Sequence, residues 1–174
     1  MFKLVKYFFF VIYILFSNVA LSSEGIYYID MNNLMNNSLA GKSILKQLDK
    51  IDKSNLNSFK QRESLLKEEE TKIISQKNIL EKNEYDQKIN LLKKNILEYQ
   101  KERADKLNNF SKKKNEAQLL LTNKVTPIIT EYAQKNSISL ILKKQSIVIA
   151  KTELDLTSAI INILNKQLKT LEID

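Results

Sequence analysis

At 174 residues the chain is long enough for one ordinary domain, yet it holds only two glycines and one proline against 28% charged residues. So few turn-formers predict long uninterrupted helices rather than a compact globule. Cysteine and histidine are absent, which excludes disulfides, Cys/His metal centres and a histidine general base, and the net charge of +8 favours anionic partners.

Residues 1–22 read as a secretory signal peptide. Lys3 and Lys6 form a basic start, Tyr7 to Phe16 is an unbroken apolar run, and Ala20 and Ser22 stand three and one before a cut. The apolar run is shorter than the roughly 20 residues a spanning helix needs, so cleavage near Ser23 is expected. Loss of Lys3 and Lys6 lowers the charge to +6. Most of the excess lies between Gln47 and Pro127, with 18 Lys/Arg against 13 Asp/Glu. An abundance of Lys, Asn and Ile, as AT-rich coding produces, accounts for it equally well.

Ile26 to Asp30, "IYYID", is β-branched and aromatic and predicts a strand. The polar stretch Met31 to Asn37 follows, and then "SLAGKS", whose last three letters close a phosphate-binding loop. That loop needs a second glycine five positions before Gly41, where Asn36 stands, and it should directly follow a buried strand. The nucleotide reading fails on both counts. Ile44, Leu48 and Ile51, then Phe59, Leu66, Ile73 and Leu80 at sevens, keep a narrow apolar stripe on a first long helix.

The stripe weakens from Ser75 to Asn83, and Asn83 with Asp86 three residues on resembles an N-cap and capping box. A second helix carries Tyr85, Ile89, Leu92, Ile96 and Tyr99 in a heptad seam, takes Arg103 and Lys106, and recovers at Phe110, Ala117 and Leu121. Pro127 predicts a kink or restart, after which the helix continues to about Lys135. Beyond Asn136 the period becomes 2, so "SISLIL" and "IVIAK" predict a β-hairpin. Asp155 or Thr157 then caps a last helix bearing Ile160, Ile161, Leu164 and Leu168.

The expected fold is therefore mostly α with a small β body. Residues 47–127 form a long antiparallel helical hairpin, and residues 23–46 and 128–174 form the two parts of a strand-containing body. Open strand edges in so small a body require covering, and oligomerisation would provide it. No enzyme is visible: Glu68-Glu69-Glu70 points in three directions on a helix and reads as a solvated face.

"IYYIDMNNLMNNSLAGKSILKQLDK", the charged hairpin, "PIITEYAQKNSISLILKKQSIVIAK" and "LDLTSAIINIL", in that order, resemble the Skp/OmpH family of periplasmic chaperones over the whole mature chain. Asp30, Ala40-Gly41-Lys42, the Tyr132-Ala133 to Leu142 passage and Asp155-Leu156-Thr157 carry the resemblance most specifically. It implies a periplasmic homotrimer with three hairpins projecting as tentacles around a cavity. It also implies clients that are unfolded outer-membrane β-barrel proteins, held without ATP, and a structural role for Gly41 and Lys42.

Several groups of residues are candidates for those roles. Client contacts are expected among Phe59, Leu66, Ile73, Leu80, Tyr85, Leu92, Ile96, Tyr99 and Phe110, unless these only zip the two helices together. Anionic partners, such as acidic clients, lipid headgroups or lipopolysaccharide, point to Lys93, Lys94, Lys101, Arg103, Lys112, Lys113 and Lys114. The oligomer body would use Ile26, Tyr28, Ala40, Gly41, Leu140, Leu142, Ile147, Ile149, Asp155 and Thr157. No cofactor and no nucleic-acid partner is expected. Two competing readings remain, a structural coiled-coil envelope protein and a basic coiled coil that binds nucleic acid.

Overall fold

The computed structural model describes residues 25–173, so the expected signal peptide lies outside the described residues. The elements are β1 (Ile26–Ile29), α1 (Met31–Asn37), α2 (Leu39–Ser75), α3 (Lys82–Lys135), β2 (Leu140–Lys143) and α4 (Thr157–Gln167). Single 3-10 turns occupy Lys144–Ser146 and Thr152–Leu154. The expected architecture, mostly helical with a small β part, is the one observed. With 37 and 54 residues, α2 and α3 run about 55 and 80 Å at 1.5 Å per residue.

Three departures from the sequence reading have physical causes. The stretch Met31 to Asn37 is helical despite its four asparagines, because Asp30 Oδ1 accepts from the Asn33 amide and Leu34 is fully buried. Asn83 does not cap the second helix. That helix starts two residues earlier than such a cap implies, at Lys82, with Glu81 in the cap position and no side-chain cap bond. Nor does α3 restart at Pro127, which sits on an exposed face while Val125 and Ile128 hold the turn around it in the core.

The expected β-hairpin is the largest correction. Only Leu140–Lys143 is a strand, and it pairs in parallel with β1, Ile26 opposite Leu140 and Tyr28 opposite Leu142. The second run, Ile147 to Lys151, has no strand partner in the single chain; Val148 and Ile149 are exposed. Its alternation is that of a strand, but it joins neither β2 nor β1, whose second edge carries an isolated parallel bridge of Tyr28 with Asp155, and a two-stranded sheet alone is marginal in water.

The body core gathers Leu34, Ile44, Leu121, Val125, Ile160 and Leu164 with Ala40, Ala117 and Leu156. It therefore reaches into the lower part of both long helices. The α1–α2 corner depends on small residues. Ser38 Oγ accepts from the Gly41 amide at 3.0 Å, and a Cβ on Gly41 would stand 2.0 Å from the Met35 carbonyl oxygen. The backbone that Gly41 lets approach is thus the chain's own α1.

A polar chain ties the two ends of the sequence at the sheet. The Asp30 amide donates to Thr157 Oγ1 (2.9 Å), Thr157 Oγ1 donates to Asp155, and Asp155 Oδ1 accepts from the Thr157 amide (2.8 Å). Neither Asp155 nor Thr157 takes the cap position of α4 that the sequence suggested: Leu156 stands there, without a side-chain cap bond, and Thr157 is the first helical residue. Lys144 Nζ reaches Asp30 Oδ2 at 3.0 Å. The Asn33 amide first, and Lys144 with it, hold the Asp30 carboxyl below its usual range, and the same contact raises Lys144.

Candidate functional site

Beyond the body, α2 and α3 continue as a two-helix arm closed by a single stripe. Phe59, Leu66 and Ile73 from α2 are buried against Leu92 and Tyr99 from α3, with Tyr85, Ile89 and Ile96 half-buried around them. Sevenfold spacing on both helices keeps each residue facing its partner along the arm. Tyr99 donates its hydroxyl to Glu63; burial and that carboxylate push the phenol above its usual pKa.

Arg103 and Lys106 interrupt the stripe where α3 passes Phe59. Their charged ends lie 5.5 and 5.9 Å from the ring centroid, a cation–π arrangement. Lys106 also donates to Ser58 Oγ at 3.0 Å and pairs with Glu102 at 2.9 Å. The two cations separate the arm's apolar cluster from the body core. Above them opens a groove of about 690 Å³ lined by Glu63, Leu66, Ile96, Tyr99, Arg103 and Leu107. Such a lining, apolar at its floor and of both charge signs at its rim, suits shallow and unselective contact rather than one ligand.

The candidate residues separate clearly by exposure. Phe59, Leu66, Ile73, Leu92 and Tyr99 are consumed by the helix pair, whereas Leu80 near the tip, Tyr85, Ile96 and Phe110 are half-exposed. Phe110 packs on the edge of the body core. Heptad reasoning missed a further set, Leu56, Leu65, Ile74, Ile79, Leu91, Leu97 and Leu107, all exposed and distributed around the arm. Their signal was available: they are the large apolar residues left over once the sevens are removed.

Among the cations, Lys93, Lys94, Lys101, Arg103, Lys112 and Lys114 are exposed and Lys113 is half-buried. Lys94 faces Glu98 and Lys112 faces Glu116, each at 3.8 Å across one helical turn. Exposed pairs of this kind contribute little. In the body, Tyr28, Ala40, Gly41 and Thr157 are buried, while Leu142, Ile147 and Asp155 are half-buried and Ile26, Leu140 and Ile149 lie exposed at the sheet and beyond it. Leu140, expected in the oligomer body, is 45% exposed in the single chain.

The residues of the phosphate-loop triplet lie in the first turns of α2. The Leu39 amide is taken by Asn165 Oδ1 and the Gly41 amide by Ser38 Oγ, so this helix end spends its donors internally. Among the described residues no acidic cluster could hold a metal ion, and no helix is long and apolar enough to cross a membrane.

A family model for outer membrane proteins of the OmpH-like type matches residues 25–164, which spans β1, both arm helices, β2 and most of α4. This chain belongs to the OmpH-like family. The OmpH-like chain also shares its fold with a crystal structure from Caulobacter crescentus described as an outer membrane chaperone (OmpH-like). The TM-score is 0.78 at 18% identity, over 86% of this chain and 89% of that one. Comparison with curated protein sequences yields no significant match. So low an identity with so close a fold is what the arm predicts: a stripe at sevens tolerates almost any residue on its outer faces.

Proposed function

We propose that this OmpH-like chain is an ATP-independent periplasmic holdase that binds unfolded outer-membrane β-barrel proteins and prevents their aggregation. One observation carries the reading: the arm closes itself with one narrow stripe and leaves seven large apolar side chains exposed around it. A holdase must grip many sequences weakly, and many small apolar contacts acting together supply avidity without a deep pocket. The fold shared with a protein described as an outer membrane chaperone supports the same reading.

In this reading the exposed set, with Leu80, Tyr85, Ile96 and Phe110, touches the client, and the five buried seam residues keep the arm straight. The lysines at 93, 94, 101 and 112–114 attract acidic precursors and anionic headgroups. The chain works as a homotrimer, in which the uncovered edge of the sheet and the Ile147 to Ile149 run are paired between copies. Export by a cleaved signal peptide puts it in the periplasm.

The test is light scattering of an unfolded barrel protein diluted from urea, with rising amounts of the mature chain and no ATP, and mass by multi-angle scattering on the same samples. Suppression that saturates near one trimer per client is expected. A well-folded oligomer that leaves aggregation unchanged overturns the reading in favour of a structural spacer.

A further inference from the structure

After α4 the chain turns back, and residues 168–173 lie across the base of the arm. Leu171 is 8% exposed in the body core, Glu172 is exposed, and Ile173 is half-buried against the same core. Gln47 on α2 holds the main chain of this tail on both sides of Glu172. Its Nε2 donates to the Leu171 carbonyl at 2.8 Å and its Oε1 accepts from the Ile173 amide at 3.1 Å. A single residue in a parallel β-ladder makes the same pair of bonds, through its own N–H and C=O, to residues two apart. Ser43 Oγ adds a longer bond to the Leu171 carbonyl.

This mode of attachment reads backbone and alternation, not side-chain identity. The tail also fills only part of its track. Ile173 stands between two open depressions, one of about 500 Å³ along α2 beside Ile51 and Asn55, the other of about 250 Å³ along α3 beside Ala117 and Leu120. The family match ends at residue 164, so the tail lies beyond the part of the chain that the match spans.

We propose that residues 168–173 are an internal occupant of a groove for extended client segments, a groove that client strands enter by displacing the tail. The inference rests on the holdase reading for its client. A segment destined to span a membrane as a barrel strand alternates apolar and polar residues along its length. Leu171-Glu172-Ile173 shows that alternation in the seated state, and Gln47 supplies the two main-chain bonds that any such segment can accept in its place. An occupant tethered in cis acts at an effective concentration on the order of millimolar, so it also sets a threshold below which weak ligands do not enter.

The experiment uses the full chain with Leu171→Asp and Ile173→Asp, which evicts the tail and leaves the groove, checked for folding by circular dichroism. The probe is a fluorescent peptide of residues 165–174, read by anisotropy. Binding at least about tenfold tighter than to the unaltered chain is expected, since the competitor in cis is gone. Adding Gln47→Leu should remove that gain, and an unlabelled alternating strand peptide from a barrel protein should displace the probe.

Equal binding by a folded evicted chain, or a probe that the strand peptide leaves in place, overturns the proposal. Should the evicted chain not fold, hydrogen exchange on the unaltered chain decides it. The Ile173 amide must lose protection when an unfolded barrel protein is added, and unchanged protection overturns the proposal. Failure of the holdase reading alone shows differently, as unsuppressed aggregation alongside intact peptide binding.

Discussion

The same two helices are built in two ways along their length. In the body, α2 and α3 are covered by α1, α4 and the tail, and Ile44, Leu121 and Val125 are sealed from solvent. In the arm they have only each other, and each turn buries one residue per helix at most. A heptad pattern alone does not distinguish these regimes; a third and fourth layer does. Local stability should therefore fall from body to tip, and the client surface proposed above is drawn from the less protected end.

The largest expected effects test that contrast directly. Leu121→Ala removes a sealed side chain from the body core and should cost about 3 kcal/mol, with loss of the whole unfolding transition's midpoint in urea. Leu92→Ala, in the arm, should cost less and appear as increased amide exchange confined to the residues between about Phe59 and Tyr99. Equal losses spread over the whole molecule would erase the distinction between the regions. Gly41→Ala forces a Cβ onto the Met35 carbonyl, and a loss of about 1–3 kcal/mol in thermal unfolding is expected, although the substitution favours helix by propensity.

Lys106→Leu sharpens the comparison from the arm's side. It should join the two apolar clusters across Phe59 and raise the arm's protection by about 1 kcal/mol in hydrogen exchange, because a partly buried cation is replaced by an apolar contact. If protection falls instead, the Ser58 and Glu102 bonds matter more than the interruption.

Acid probes the body through Asp30. Asp30 has its carboxyl lowered in the folded chain by the Asn33 amide and Lys144, so its contribution is complete above the unfolded value near 4 and disappears as pH falls through the lower folded value. Asp30→Asn keeps an N-cap and drops the charge. The wild type should be more stable than this variant at pH 7, and the difference should shrink in paired urea titrations as pH falls below the unfolded value near 4.

The smallest effect concerns the end of α3. Ser137 holds a positive φ of 52°, just past the Asn136 cap, where glycine is the ordinary residue. Ser137→Gly should raise stability by about 0.5–1 kcal/mol in thermal melts if the body limits unfolding. No gain would place the limiting event in the arm.

Residue by residue, the long helices were readable because their signal is redundant: Phe59, Leu66 and Ile73 repeat one statement three times. The ends of α3 show the limit of local chemistry. Asn83 has the better cap side chain, but the turn at residues 76–81 delivers the chain in helical geometry two residues sooner. α1 was hidden because asparagines are poor helix formers, and the Asp30 cap together with the burial of Leu34 outweighs them. "IVIAK" carries a strand pattern that finds no strand partner among the described residues, and alternation names a face without naming a neighbour. In the arm, periodicity found the residues that close the hairpin; the exposed leucines and isoleucines broke the period and were passed over for that reason.

The parallel pairing of β1 with β2 sets an order of events. Ile26 meets Leu140 only after the entire hairpin between them has been made, a separation of more than a hundred residues. Closing so long a loop is slow unless its interior is already shortened, and an antiparallel pair of helices returns the chain to its starting point. The weakly protected arm is therefore expected to form first, as the jig on which the body is assembled. A chain synthesised from its N-terminus holds "IYYI" unpartnered through most of its own elongation. For that interval this protein is itself an unfolded polypeptide with a bare apolar strand, in need of the same shelter its arms are proposed to give to others.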